Sequence, residues 1–142
     1  IAYLSQNQFI PNDTILRNIT NKKLLENCDQ KLLEEVIDII GMREIIGKDF
    51  RFANKMCGEN GNLLSGGQKQ KLSLARALYQ KPSYLFLDES LSAIDEESRI
   101  RILENLGNLK FIRCTILISH NYIKDNENIN KYLLSPDGIK LL

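Results

Sequence analysis

The sequence predicts an α/β fold in which a parallel sheet forms the core and a helical region, about residues 12–80, is inserted between its strands. Three short apolar runs have the length of buried strands, and polar residues follow each run at its carboxyl end. Apolar residues recur at helical spacing between these runs, which predicts the helices. Residues 1–11 and 81–142 are therefore assigned to the sheet core, and all 142 residues to one domain.

The first apolar run, Ile1 to Ser5, predicts a strand with Gln6 at its carboxyl end. Ligands of open α/β sheets bind at that end of the strands, which makes Gln6 a candidate site residue. Taken alone, it is most simply a solvated loop glutamine. The turn and N-cap residues Asn12 to Thr14 then predict a short helix through Ile19.

An apolar stripe from Lys31 to Ile40 predicts an amphipathic helix that ends at Gly41 and packs in the core. The Gly47-Lys48 pair that follows suggests a phosphate-binding loop, but the pattern does not fit. Five residues instead of four separate the two glycines, Asp49 replaces the required Ser or Thr, and a helix precedes the segment instead of a strand. Lys48 is therefore interpreted as a surface charge.

A second helix start is predicted near Ser65 or Gly66, because two adjacent glycines precede apolar residues at helical spacing through Leu78. The first N–H groups of a helix lack intrahelical partners, and the macrodipole is positive there. Gly66 and Gly67 carry no Cβ that would keep a phosphate away, and the Ser65 hydroxyl can either cap the helix or donate a hydrogen bond to the anion. Taken alone, Ser-Gly-Gly is most simply a turn before an N-cap. The alternative interpretation is an anion site.

The run from Tyr84 to Leu87 predicts a strand that is buried on both faces, and two acids, Asp88 and Glu89, follow it. A carboxylate at the tip of a central strand can anchor the hydration shell of a magnesium ion. A second carboxylate beside it can orient or deprotonate an attacking water. Two acids after a strand also arise by chance in polar loops, so the pair alone does not identify a catalytic site.

The last third of the chain predicts a helix from Asp95 to about Leu106, with acids in its first turn and Gly107 as its stop. Thr115 to Ser119 predicts a third buried strand. The only histidine of the chain, His120, follows that strand, where a surface or capping role is the simplest interpretation. Residues 129–142 predict a closing hairpin.

The composition, with 43% hydrophobic and 26% charged residues, is that of an ordinary soluble globular domain. Its net charge of +1 comes from interspersed residues, which gives no support for a nucleic-acid partner or an anionic membrane surface. The three cysteines are odd in number and not in CxxC spacing, which argues against a zinc site and a disulfide framework and favours a reducing, cytosolic setting. No apolar run reaches the roughly 18 residues of a membrane span.

The stretch LSGGQKQKLSLARAL, Leu64 to Leu78, resembles the signature helix of the ATP-binding cassette (ABC) ATPases. Residues 1–19, IAYLSQNQFIPNDTILRNI, resemble the Q-loop segment of ABC exporters, and GENGNLLSGGQ from Gly58 resembles the exporter branch. The threonine and valine usual before that run are absent, and Ser90-Leu91 replace the usual Ala-Thr. The motifs occur in family order over essentially the whole chain, together with Asp88-Glu89, Asp95 and His120.

The resemblance implies a P-loop NTPase-type, RecA-like core with a helical subdomain that carries the signature, and ATP with Mg²⁺ as ligands. It implies catalytic roles near the attacking water and the γ-phosphate for Glu89 as base, His120 and Gln6. It implies that Asp88 and Gln6 bind magnesium. It also implies that the signature residues contact the nucleotide bound by a partner domain; these residues are Ser65, Gly66, Gly67 and Gln68. Asp95 belongs to the D-loop that communicates across the dimer, and Glu59 faces the transmembrane coupling helices.

The leading expectation is the ATPase domain of an ABC exporter at the cytoplasmic face of a membrane. Two such domains, identical or different, would sandwich two Mg-ATP molecules and drive transmembrane domains, with no nucleic-acid partner. The chain begins at Ile1 and contains neither a Walker A P-loop nor an adenine-stacking loop, so we expect the C-terminal part of the domain, inactive by itself. Two alternatives stay open: a soluble ABC ATPase acting in translation or DNA maintenance, and a truncated, catalytically inactive binding module.

Overall fold

The structure, a computed structural model, describes residues 1–47, 50, 53–120, 132–135 and 138–141, the last two segments by their backbone alone. Lys48, interpreted above as a surface charge, lies outside the described residues. Short 3₁₀ turns lie at Leu25–Asn27 and Glu59–Gly61. The strands and helices, in chain order, are β1 (Ala2–Leu4), α1 (Ile15–Thr20), α2 (Gln30–Ile40), α3 (Arg43–Ile46), α4 (Gly66–Tyr79), β2 (Tyr84–Asp88), α5 (Glu96–Leu106), β3 (Cys114–Ile118), β4 (Tyr132–Ser135) and β5 (Gly138–Leu141).

Strands β1, β2 and β3 form a parallel sheet in that order. Leu85 of β2 lies opposite Ala2 on one side and Thr115 on the other, so all three strands end at the same edge. The predicted hairpin is the antiparallel pair β4 and β5, with Ser135 opposite Gly138. The predicted α/β fold with a parallel sheet is confirmed. The division into a helical part at 12–80 and a sheet core stays a prediction.

Helix α4 joins the helical region to the sheet, because it packs against α1, α2 and β1. Its predicted start is confirmed, with Ser65 as N-cap, and it buries Leu72, Ala75 and Leu78 in the core. The helix that carries the Ser-Gly-Gly start is therefore held by contacts with both the helical region and the sheet.

Among the described residues, none of the helices combines the length and the apolar character that a membrane span requires.

The two glycine stops differ in conformation. Gly41 follows α2 with a left-handed φ of 68°, the usual glycine cap. Gly107 follows α5 with a right-handed φ of −63°, so it is not the left-handed cap that a glycine stop suggests. Instead, the N–H groups of Asn108 and Leu109 bond to carbonyls three residues earlier, and this tightening ends the helix.

One face of the sheet is open among the described residues. Leu85 and Leu87 join the helices in one buried hydrophobic cluster. On the other face, Tyr84, Ile116 and Ile118 are about half exposed. The prediction that β2 is buried on both faces is therefore wrong for the part of the chain that the structure describes, because the hydrophobic cluster with the helices covers one face only. The prediction that β3 is a buried strand is wrong in the same part of the chain, since none of its residues is buried.

Candidate functional site

The carboxyl edge of the sheet brings three of the predicted site residues together. Gln6, Asp88 and Glu89 line one open depression, together with Ser5 and Asn7. The parallel register places Leu4, the last residue of β1, opposite Leu87, so the residues after both strands emerge side by side. The sequence placed each of these residues after the carboxyl end of a predicted strand, and the parallel register explains why they meet.

Glu89 leaves β2 with a left-handed φ of 49°, a conformation that costs a non-glycine residue about 1–2 kcal/mol. Its N–H still donates to the Ile118 carbonyl at 3.0 Å, which ties its backbone to β3. Its Oε1 lies 2.7 Å from Nε2 of His120, whose side chain is 90% exposed, against 27% for Glu89. Strained backbone of this kind is concentrated at functional sites, and here it fixes where the Glu89 side chain begins.

Asp88 has a partner on β1. Tyr3 lies opposite Phe86, so its side chain reaches Asp88 diagonally along the same face of the sheet. The Tyr3 hydroxyl donates to Asp88 Oδ2 at 2.7 Å, and this hydrogen bond is the main reason why the pKa of Tyr3 is raised. The bond uses one carboxylate oxygen of Asp88 and leaves the other as an acceptor at the depression.

The oxygen donors of the depression suit magnesium. Protein sites bind Mg²⁺ through one or two carboxylates together with substrate oxygens and water. Asp88 offers a carboxylate, and Gln6 offers an amide oxygen at the same depression. In the part of the chain that the structure describes, no group of three or more His, Cys, Asp or Glu side chains could hold a metal by itself. One carboxylate and one amide oxygen fill only part of the coordination shell of Mg²⁺, so water or another ligand would have to supply the rest.

The start of α4 is an N-terminus closed by a capping box. Ser65 Oγ accepts from the Gln68 N–H at 3.2 Å, and Gln68 Oε1 accepts from the Ser65 N–H at 3.0 Å. The N–H groups of Gly66 and Gly67 belong to the first turn, at the positive end of the helix. The helix start on which the predicted anion site depends is present, with the Gln68 side chain engaged in the cap, and the anion site itself stays a prediction. None of these four residues lines the depression that holds Asp88 and Glu89.

Sequence analysis did not single out Gln70, which is only 7% exposed on α4. Its Oε1 accepts from the Ala93 N–H at 2.8 Å, and its Nε2 donates to Ser92 Oγ at 3.2 Å. Both partners belong to the loop between β2 and α5. The sequence did indicate that Gln70 is buried, because it precedes Leu74 and Leu78 by four and eight residues and so lies on the same face of the helix.

Arg76, also on α4, was missed as well. Its Nε and Nη2 donate to the backbone and side-chain oxygens of Asn18 at 2.9 and 2.7 Å, and its Nη1 donates to the Phe9 carbonyl at 3.1 Å. Burial lowers the pKa of this guanidinium. The side chain therefore ties the segment that follows Gln6 to the same helix that starts at the Ser-Gly-Gly motif.

Asp95 and Glu59 lie outside the depression. Asp95 is the N-cap of α5: its carboxylate accepts from the Ser98 N–H at 2.8 Å, and this bond lowers the pKa of Asp95. Glu59 is exposed in a 3₁₀ turn, where the neighbouring Asn60 Oδ1 accepts from the Ile10 N–H at 3.5 Å. The turn of Glu59 therefore contacts the segment after Gln6, while the roles assigned to Asp95 and Glu59 stay predictions.

Known proteins resemble this chain over nearly its whole length. The family model for ABC transporters matches residues 1–92. The ATP-dependent lipid A-core flippases of Salmonella typhimurium (strain LT2) and Escherichia coli (strain K12) are each 34% identical over 139 residues, which is 98% of this chain and 24% of each relative. The chain thus spans about a quarter of the length of the curated relatives that it matches.

The fold has a counterpart among solved structures. A bacterial Atm1-family ABC exporter with ATP bound matches with a TM-score of 0.73 and 28% sequence identity, over 84% of this chain and 21% of the exporter chain. This match supports the partial nucleotide-binding-domain fold that the motifs predicted. Because the family match covers more than half of the residues and the sequence likeness nearly all of them, the chain belongs to the ABC transporter family.

Proposed function

We propose that this chain is the C-terminal part of the ATP-hydrolysing domain of an ABC exporter, with Glu89 as the base that takes a proton from the attacking water. The observation that carries the proposal is the meeting of Gln6, Asp88 and Glu89 at one sheet edge, with His120 Nε2 2.7 Å from Glu89. A carboxylate fixed beside a metal-binding carboxylate is the arrangement that phosphoryl transfer to water needs.

Magnesium, when bound, offsets negative charge on the phosphates of ATP. Asp88 would hold it through the oxygen that Tyr3 does not engage, and Gln6 would add its amide oxygen. The exposed ring of His120 can move away from Glu89 and donate to a phosphate oxygen. Glu89 keeps its place during that movement, because its own N–H is bonded to β3.

A second nucleotide-binding domain is the proposed partner. The start of α4 at Ser65, Gly66 and Gly67 has the features of a phosphate site, yet it does not line the depression of its own chain. We therefore assign these residues to a nucleotide bound by the other domain of a dimer, homomeric or heteromeric. In this arrangement Asp95, which fixes the start of α5 after the connecting loop, belongs to the segment that communicates between the two sites.

Transmembrane domains are the second proposed partner, at the cytoplasmic face of a membrane. Three large apolar side chains, Phe9, Met56 and Leu63, are exposed on segments next to Gln6 and Glu59 in the sequence, and Phe9 is 71% exposed. The Asn60 and Arg76 hydrogen bonds connect these segments to each other and to α4. The names of the relatives, a flippase and an exporter, favour this role over a soluble ABC ATPase.

The test is Glu89→Gln in the full-length protein. Turnover of Mg-ATP should fall by about 100-fold or more, while binding of Mg-ATP stays within about twofold, because the amide keeps the shape of the carboxylate but cannot take the proton. Glu104→Gln, the same change at an exposed position of α5, is the control and should behave as wild type. Unchanged turnover in Glu89→Gln contradicts the proposed role of Glu89. A wild-type protein without turnover instead supports the inactive binding module.

A further inference from the structure

The geometry points to Gln70 as a positioning residue that couples the start of the signature helix to the loop that begins at the catalytic carboxylate. This inference rests on the proposed function, in which Ser65 to Gly67 serve the nucleotide of the partner domain and Glu89 serves its own. A side chain that joins these two places mechanically joins the two nucleotide sites of the dimer.

The first support is the bonding of the Gln70 amide. The amide is buried, and both of its polar atoms bond to one loop. Its Oε1 accepts from the Ala93 N–H at 2.8 Å, and its Nε2 donates to Ser92 Oγ at 3.2 Å. An amide offers a donor and an acceptor from one planar group, so Gln70 fixes both the position and the orientation of the loop. Loss of that group would leave the Ala93 N–H to find another partner.

The second support is direct backbone contact in the same place. A Cβ built on Gly67 would lie 2.8 Å from the Ala93 carbonyl oxygen, and one on Gly66 would lie 3.4 Å from Ala93 Cβ. The first turn of α4 is thus packed against the loop with no space between them. Gln70, one turn further along the helix, adds the polar bonds that keep this contact in register.

The third support is the short path from Ala93 back to Glu89. The Ser92 N–H donates to the Glu89 carbonyl at 3.2 Å, and the Ile94 N–H donates to the Leu91 carbonyl at 3.2 Å. Leu91 and Ile94 are buried, so consecutive tight turns anchored in the core connect the contact with α4 to the strained backbone of Glu89. A shift of the helix start must therefore be taken up by this loop or passed on to Glu89.

The experiment compares wild-type full-length protein with Gln70→Met, which has similar volume and no amide, and with Gln70→Glu, which keeps an acceptor for the Ala93 N–H. Turnover of Mg-ATP, equilibrium binding of Mg-ATP and amide hydrogen exchange of residues 89–95 are measured for each. In Gln70→Met we expect turnover to fall by about tenfold, binding to stay within about twofold, and exchange of the loop to accelerate. Gln70→Glu should recover most of the turnover.

Ser73→Ala is the matched control, because Ser73 is buried on the same helix and its hydroxyl has no hydrogen-bond partner among the described residues. If Gln70→Met does not fold, Ser92→Ala removes one of the two bonds from an exposed position and should lower turnover by about two- to threefold. Unchanged turnover in the Gln70 and Ser92 variants, or an equal loss in Ser73→Ala, overturns the inference. Absence of turnover in the wild type overturns the proposed function, and the inference with it.

Discussion

Replacing Gly67 by alanine should destabilise the protein, whereas the same change at Gly66 should not. A Cβ on Gly67 would lie 2.8 Å from the Ala93 carbonyl oxygen, which is closer than real Cβ atoms approach a neighbour, so that backbone must retreat by roughly half an ångström. Overpacking of this kind costs about 1–3 kcal/mol. At Gly66 the nearest atom is Ala93 Cβ at 3.4 Å, an ordinary contact.

Both substitutions share a gain of about 0.4–1 kcal/mol, because alanine restricts the unfolded chain more than glycine does. The free energy of unfolding should thus fall by roughly 1 kcal/mol, and by at most about 2.6 kcal/mol, in Gly67→Ala, and rise by about 0.4–1 kcal/mol in Gly66→Ala. Denaturant unfolding at a common slope measures the difference, and hydrogen exchange of residues 89–95 locates it. If the free energies of unfolding of the two variants agree within about 0.5 kcal/mol, the loop at Ala93 can move without cost and its contact with Gly67 does not contribute to stability.

Three polar groups give further predictions that unfolding experiments can check. Ser90→Ala removes a buried hydroxyl without a partner among the described residues, so stability should stay unchanged or rise by about 1 kcal/mol, and a loss of that size would contradict this. Arg76→Met removes three hydrogen bonds and should cost about 2–4 kcal/mol; a cost below about 1 kcal/mol would show that Asn18 and Phe9 are held otherwise. The folded-state pKa of Asp95 is lowered from 3.8 by its bond to the Ser98 N–H, so its capping contribution is fully present above about pH 3.8 and is lost as the pH falls from there through the lowered pKa. The difference in melting temperature between wild type and Asp95→Ala should therefore be largest near pH 7 and narrow as the pH falls below 3.8, and a constant difference would refute this.

Local rules account for the parts of the fold that could be predicted from the sequence. Ser65 before two glycines predicted the start of α4, because capping depends on neighbours three residues apart. The apolar runs predicted the three parallel strands and placed Gln6, Asp88 and Glu89 at strand ends, where the structure brings them together. Each of these features is set by spacing along the chain, and the parallel sheet then brings the strand ends together without further information.

Features that depend on contacts across the fold could not be predicted. The left-handed backbone of Glu89 is held by a bond to Ile118, and no residue type near Glu89 indicates it. Gln70 and Arg76 find their partners 23 and 58 residues away; helical spacing places Gln70 on the buried stripe, but nothing in the local sequence indicates which groups either residue bonds to. The open sheet face was missed for a related reason: a continuous apolar run predicts burial, but not which face the neighbouring helices cover.

The two glycines of the signature make different contacts with Ala93, and this difference affects how the proposed role of the motif towards a partner domain is tested. An acid at Gly67 would oppose an approaching phosphate and would also displace Ala93, so lost turnover would combine a defect in the partner's site with one in the chain's own loop. An acidic side chain at position 66 would place its Cβ at an ordinary distance from Ala93, and the first turn of a helix tolerates negative charge. Loss of activity at unchanged stability then isolates repulsion of the phosphate. Packing within the chain explains why Gly67 carries no side chain, whereas no contact within the chain explains the glycine at position 66, so Gly66 gives the cleaner test of the proposed phosphate contact.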